Sequence, residues 1–224
     1  MIAEEIHKIT SQLPKGVRLV AVSKYHPTEA IREAFNASQR LFGESHAQEL
    51  QRKHAELADL EAKGLEWHFI GHLQTNKVKY IAPYVSLIHS ADSLHLLEEI
   101  NRQALKAGRI IRCLMQLHVA AEETKFGFTP DEGLTFLEGG AWQQLNGIEF
   151  AGVMAMATNT DDLAHRQADF HRARLFFEQA QRDYFPQSFK ELSMGMTDDW
   201  HLAVDEGATL IRIGTQIFGE RIYT

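Results

Sequence analysis

The chain has 224 residues, 44% of them hydrophobic, enough to bury a sizeable core either as one α/β barrel or as two small domains. A formal net charge of -7, from 30 acidic residues against 23 Lys and Arg, excludes a broad nucleic-acid footprint, which needs clustered cations to displace counterions from phosphates; a small anion held at a local site stays open. The single cysteine, Cys113 in an apolar stretch, excludes a disulfide framework and reads as a buried, inert thiol.

The opening MIAEEIHKITSQL reads as an amphipathic helix with acidic residues in its first turn and lacks the basic-then-apolar order of a signal peptide. No run approaches a membrane span. The expectation is a cytoplasmic protein without membrane or nucleic-acid partners.

Short apolar runs then alternate with longer helical patterns. Strands are expected near residues 17–23, 40–43, 66–70, 84–88, 111–119, 148–155, 190–194 and 209–213. Between them, a helix begins near Asp92 and is followed by Gly108, and Thr129-Pro130 looks like a cap with proline at the first helical position. Leu163, Phe170, Ala173, Phe177 and Ala180 form the apolar face of a long helix. Most strands are apolar on both faces, as IRCLMQLHVA shows, which fits a parallel sheet covered by helices. About eight strand–helix units without a linker rich in Pro, Gly or Ser predict a closed (β/α)8 TIM-type barrel, one domain over residues 1–224 with an extra N-terminal helix, in preference to an open doubly wound sheet.

In such barrels the chemistry lies at the C-terminal ends of the strands. VRLVAVSKYHP ends one there, and alternation puts Lys24 on a face with Val20 and Val22 while Leu19 and Ala21 point the other way. If the valines line the interior, the amine projects into the mouth, where a desolvated lysine is a nucleophile for an aldehyde; a solvated lysine at a strand end is the alternative. ELSMGMTDDW places Ser193, Met194, Gly195 and Met196 after the seventh strand, and RIGTQIFGER places Gly214 and Thr215 after the eighth. Small residues there let backbone N–H groups approach an anion, at the recurrent phosphate position of this architecture.

Arg212 shares its strand face with Leu210 and Gly214. A charge on an inward face needs a partner, either a structural carboxylate or a ligand. In EWHFIGHLQTNK, His68 and His72 invite a zinc reading, but four residues of extended chain separate them and HExxH is absent, so no metal is expected. Glu44, Ser45 and Lys125 fall near strand ends as site groups or as loop polarity, and His118 and Met154 fit a core equally well.

AVSKYHP, FGESHAQE, WHFIGHLQTNK, TKFGF, LSMGMTDDW and RIGTQIFGER, in this order from residue 17 to 221, together resemble the pyridoxal phosphate homeostasis proteins, the YggS/PROSC family, relatives of the alanine racemase barrel. The resemblance implies that Lys24 carries pyridoxal 5'-phosphate as an internal aldimine. It also implies that Ser193, Gly214 and Thr215 hold the phosphate with Met194 beside them, that Arg212 faces the pyridine nitrogen, and that Ser45 and His72 lie near the cofactor. Two positions depart from the family pattern: Ser45 stands where Gly-Glu-Asn is common, and His26 stands where many relatives have a second lysine. Lys125 matches a further family lysine near the cofactor.

The resemblance implies a carrier rather than an enzyme: a protein that buffers the cofactor and supplies it to other enzymes through transient contact with their apo forms; a monomer is expected. A racemase-like enzyme is the rival, weakened because the barrel pattern occupies the chain to Thr224 without an added β-domain. A cofactor-free lyase using Lys24 is a third reading.

Overall fold

The computed structural model describes residues 1–122 and 126–220. Its strands are β1 (Arg18–Val22), β2 (Leu41–Glu44), β3 (Glu66–Phe69), β4 (Leu87–Ala91), β5 (Ile111–Leu117), β6 (Ile148–Ala155), β7 (Glu191–Ser193) and β8 (Leu210–Ile213). Each pairs in parallel with the next, and β8 returns to β1, closing the barrel. Closure removes every sheet edge, and the helices between strands cover the outside.

Alternation along the strands sorts their side chains into two layers. Val20, Leu41, Leu87, Leu114, Ala151, Met154 and Leu210 fill the barrel interior. Leu19, Ala21, Phe42, Trp67, Ile88, Ile211 and Ile213 join the larger core between sheet and helices. The inward faces of β1 and β8 are therefore the ones that carry Lys24 and Arg212 toward the mouth.

β4 starts three residues later than its sequence pattern implies. Val85 looks like a strand residue but packs at the end of the preceding loop, while the strand extends through the fully buried His89, Ser90 and Ala91. The long helix Leu163–Asp183 buries Phe170, Ala173, Phe176 and Ala180; Phe177 sits at the edge of that face, stacked on Phe189 with centroids 5.4 Å apart, and Leu163 in the first turn is exposed. Thr129 and Glu132 form the reciprocal cap that starts Pro130–Glu138. The N-terminal helix Ile2–Thr10 buries Ile6 and Ile9 against the helices Thr28–Asn36 and Thr215–Phe218.

The N-terminal end of the barrel is closed by charge pairing. Arg18 Nη2 donates to both oxygens of Glu191 at 2.6 Å, Arg112 Nη2 donates to Glu191 at 3.2 Å and Thr209 Oγ1 at 3.1 Å. Burial alone would raise the Glu191 pKa, but these donors hold its carboxyl below the usual glutamate value. Beside this end, Cys113 is fully buried in β5, and burial pushes its thiol well up from the ordinary value.

Candidate functional site

At the C-terminal ends of the strands the barrel opens into a cavity of about 690 Å³ whose wall includes Lys24, Ser45, His72, Arg212, Gly214 and Thr215, together with Val22, Met156, Met196 and Thr197. Of the eight cofactor residues that the resemblance implies besides Lys125, six thus meet in one place. The other two sit elsewhere. Ser193 points into the barrel interior beneath Arg212, and Met194, also fully buried, faces the helical layer.

The chain reaches the cavity only after a turn at Gly195. Its φ of +90° suits glycine, and a Cβ there would fall 2.7 Å from Ala203 Cβ and 2.8 Å from Trp200 Cα. This turn delivers Met196 and Thr197 to the wall, and Met196 N donates to Asp199 Oδ1 at 2.6 Å. Gly71 has a similar role across the cavity, since a Cβ would meet the Ser45 carbonyl oxygen at 2.4 Å. Thr197 lines the cavity although sequence reading does not single it out; the first small polar residue after the strand, rather than the last residue in it, is the signal.

Arg212 is nearly inaccessible and, among the described residues, has no carboxylate within ion-pair distance. Its Nη1 donates to Ser193 Oγ at 2.7 Å and its Nη2 to the Ala155 carbonyl at 3.1 Å. Burial lowers its pKa to about 10, with Asp199 opposing, so the guanidinium remains charged at neutral pH. Below it runs a buried chain: Ser193 Oγ lies 2.9 Å from His89 Nδ1, and His89 Nε2 lies 2.9 Å from His68 Nδ1. Burial is the main cause that lowers both histidines, His68 to about 3. Both rings are therefore neutral. Arginine can only donate, so Ser193 accepts from Arg212 and can donate its own proton to His89, which in turn donates to His68.

His72 stands at the rim, its Nδ1 3.2 Å from Asp92 Oδ2 and its ring stacked on Phe126 at 4.0 Å. His68 and His72 therefore belong to separate networks, and among the described residues no group of three His, Cys, Asp or Glu side chains is placed for a metal ion. Met154 lies in the barrel core, and His118 Nε2 is 2.9 Å from the Glu122 carbonyl. Lys125 lies outside the described residues.

The segment carrying Lys24 is held by a second buried group. Lys53 Nζ, with no exposed side-chain surface, donates to Glu44 Oε1 at 2.8 Å, to Glu49 Oε1 at 2.7 Å and to the Ser23 carbonyl at 2.8 Å. Ser23 Oγ donates to Glu44 Oε1 at 2.6 Å, and Tyr25 N donates to Glu49 Oε1 at 2.7 Å. Burial raises the Glu44 carboxyl to about 7, opposed by Lys53 and assisted by Glu49.

Comparison with known proteins places this arrangement. The family model for the alanine racemase N-terminal domain matches residues 1–222. A pyridoxal phosphate homeostasis protein of Aquifex aeolicus is 37% identical over 99% of this chain and 96% of its own length, and one of Pseudomonas aeruginosa is 37% identical with the same coverage. The chain belongs to the pyridoxal phosphate homeostasis protein family. The structure of PipY, the COG0325 family member of Synechococcus elongatus, without PLP superposes with a TM-score of 0.91 at 42% identity, covering 98% of this chain and all of that one. PipY with PLP bound superposes at 0.88. Alanine racemase from E. faecalis shares the barrel fold, with a TM-score of 0.76 at 17% identity over 57% of its own chain.

Proposed function

We propose that this protein binds pyridoxal 5'-phosphate through Lys24 and works as a vitamin B6 carrier, buffering the cofactor and supplying it to other enzymes, rather than as an enzyme. The observation that carries this is the convergence of Lys24, Arg212, Thr215 and Thr197 on one cavity, in a chain whose 42% identical relative PipY has been solved with PLP bound. The donor set fits the group. The cofactor supplies an aldehyde that condenses with a primary amine, releasing one water, and a coloured ring that reports the linkage.

Each residue has a part that follows from its own chemistry. The amine of Lys24 is the covalent anchor. Thr197 and Thr215 offer hydroxyls for phosphate oxygens, with main-chain amides at Gly214 and Thr215 whose first-turn N–H groups lack intrahelical acceptors. Arg212, held in place by Ser193 and Ala155, would offer a permanent donor to the ring nitrogen. An arginine that keeps its proton would leave that nitrogen unprotonated, and so would disfavour carbanion chemistry. His72 and Ser45 complete the wall with polar groups.

One domain, action as a monomer in the cytoplasm and brief contact with recipient apoenzymes belong to the same proposal; among the described residues no helix is long and apolar enough to cross a membrane. A racemase-like activity is the alternative, since the fold is shared. Racemisation needs an acid and a base on opposite faces of the α-carbon. The test is solvent-deuterium exchange into alanine and serine with PLP-loaded protein, alongside borohydride reduction and peptide mapping. Label on Lys24 with negligible exchange supports the carrier; rapid protein-dependent exchange would place the enzyme first.

A further inference from the structure

We propose that Lys53, clamped between Glu44 and Glu49, is a positioning residue for Lys24: the buried triad fixes the main chain on both sides of that lysine, so its amine is set before a ligand arrives. The inference rests on the reading of Lys24 as the covalent anchor.

The triad holds Ser23 at two atoms, its hydroxyl through Glu44 and its carbonyl through Lys53, and holds the Tyr25 amide through Glu49. The Ser23 amide also donates to the Gly43 carbonyl, and the His26 amide returns to the Ser23 carbonyl. Lys24 is thus bracketed by five directed bonds. Tyr25 has a φ of +65°, a conformation that a non-glycine residue keeps only where its surroundings over-determine it. The bond from Tyr25 N to Glu49 is part of that constraint.

The same triad is a poor device for stability. Buried ion pairs often do no better than apolar side chains of the same volume, and here Glu44 Oε2 is buried without a hydrogen-bond partner. What an apolar residue at position 53 could not supply is direction: a donor for the Ser23 carbonyl and two carboxylates held to receive Ser23 Oγ and Tyr25 N. Placing the order in the folded protein removes it from the cost of binding.

Two measurements test this. In the cofactor-free wild type, hydrogen exchange should find the Tyr25 amide protected, and loading with PLP should change that protection little. Exchange at the unprotected rate would overturn the clamp whatever the function of Lys24. The second compares Glu49→Ala with Glu49→Gln, both checked for native circular dichroism. Glu49→Ala removes the acceptor of both Tyr25 N and Lys53 Nζ; the freed main chain should weaken PLP binding about tenfold or more, spread the borohydride label from Lys24 to other lysines and release the Tyr25 amide. Glu49→Gln keeps an oxygen acceptor and should recover most of the affinity and the Lys24 label. A folded Glu49→Ala protein with wild-type affinity and labelling would overturn the proposal; if that variant does not fold, exchange in the wild type decides. Label elsewhere than Lys24 in the wild type would instead defeat the functional reading, which the cofactor-free exchange result does not depend on.

Discussion

At the N-terminal end of the barrel Glu191 is bonded by Arg18, Arg112 and Thr209, whereas at the C-terminal end Arg212 has the Ser193 hydroxyl and the Ala155 carbonyl and no ion-paired carboxylate among the described residues. Both ends place charge on inward strand positions. In the first, the protein supplies the countercharge itself and the end is finished as a structural plug. In the second, neutral partners orient a cation without neutralising it, which leaves the cavity suited to an anionic guest. The difference between the paired arginines and Arg212 lies in what accepts their hydrogen bonds.

The sharpest way to break this contrast is at Lys24. Lys24→Ala should abolish the visible PLP band and the borohydride-stable label at that position, because only a primary amine forms the linkage; label found mainly on Lys77 would overturn the assignment. Next in size is the phosphate. If the open end binds through its anion, pyridoxal should bind at least about a hundredfold more weakly than PLP, the loss of two or more charge-assisted hydrogen bonds. Thr197→Val and Thr215→Val should each shrink that gap in a titration, and equal affinities for the two vitamers would remove the phosphate site.

The closed end should respond in the opposite manner. Glu191→Gln should cost about 2 kcal/mol in urea denaturation by weakening bonds to two arginines, with PLP affinity unchanged. The sign with pH follows from a depressed carboxyl: the contribution of Glu191 is present above the unfolded glutamate value, about 4.3, and is lost as pH falls through the lower folded value. A fall in affinity equal to the fall in stability would erase the distinction between the ends.

The smallest effect concerns Glu44, whose carboxyl is raised to about 7. A raised carboxyl contributes stability below its unfolded value and loses it as pH climbs toward 7. Glu44→Gln should therefore flatten the stability–pH curve between about 4.3 and 7 relative to wild type. An identical slope in both proteins would show that Glu44 titrates normally.

Much of this was legible from residue order, for reasons that also explain the misses. Alternation in LVAV and LIRI assigns faces because one side of each strand must fill the barrel, and that suffices to send Lys24 and Arg212 to the mouth. β4 misled because its second half carries the inward His89 and then Ser90, whose buried hydroxyl has no hydrogen-bond partner, and these lower the apolar signal where the strand in fact runs. The resemblance assigns Ser193 to the phosphate site, whereas in the fold it lies beneath Arg212 and the chain enters the cavity only beyond the left-handed turn at Gly195. Lys53 gave no warning at all. In AQELQRKHAEL a lysine four residues after a glutamate reads as a solvated helical pair, and its burial depends on Glu44 and Ser23, which belong to other elements.

Cys113 has a practical consequence. It is the sole thiol in the 224 residues, it is sealed in the sheet, and its raised pKa keeps it protonated, so maleimides and mild oxidants meet no native target in the folded protein. A cysteine introduced at the rim, for example at exposed Met196, would be the only reactive one. A fluorophore attached there could report cofactor arrival and departure in real time, in mixtures where recipient enzymes carry colours of their own.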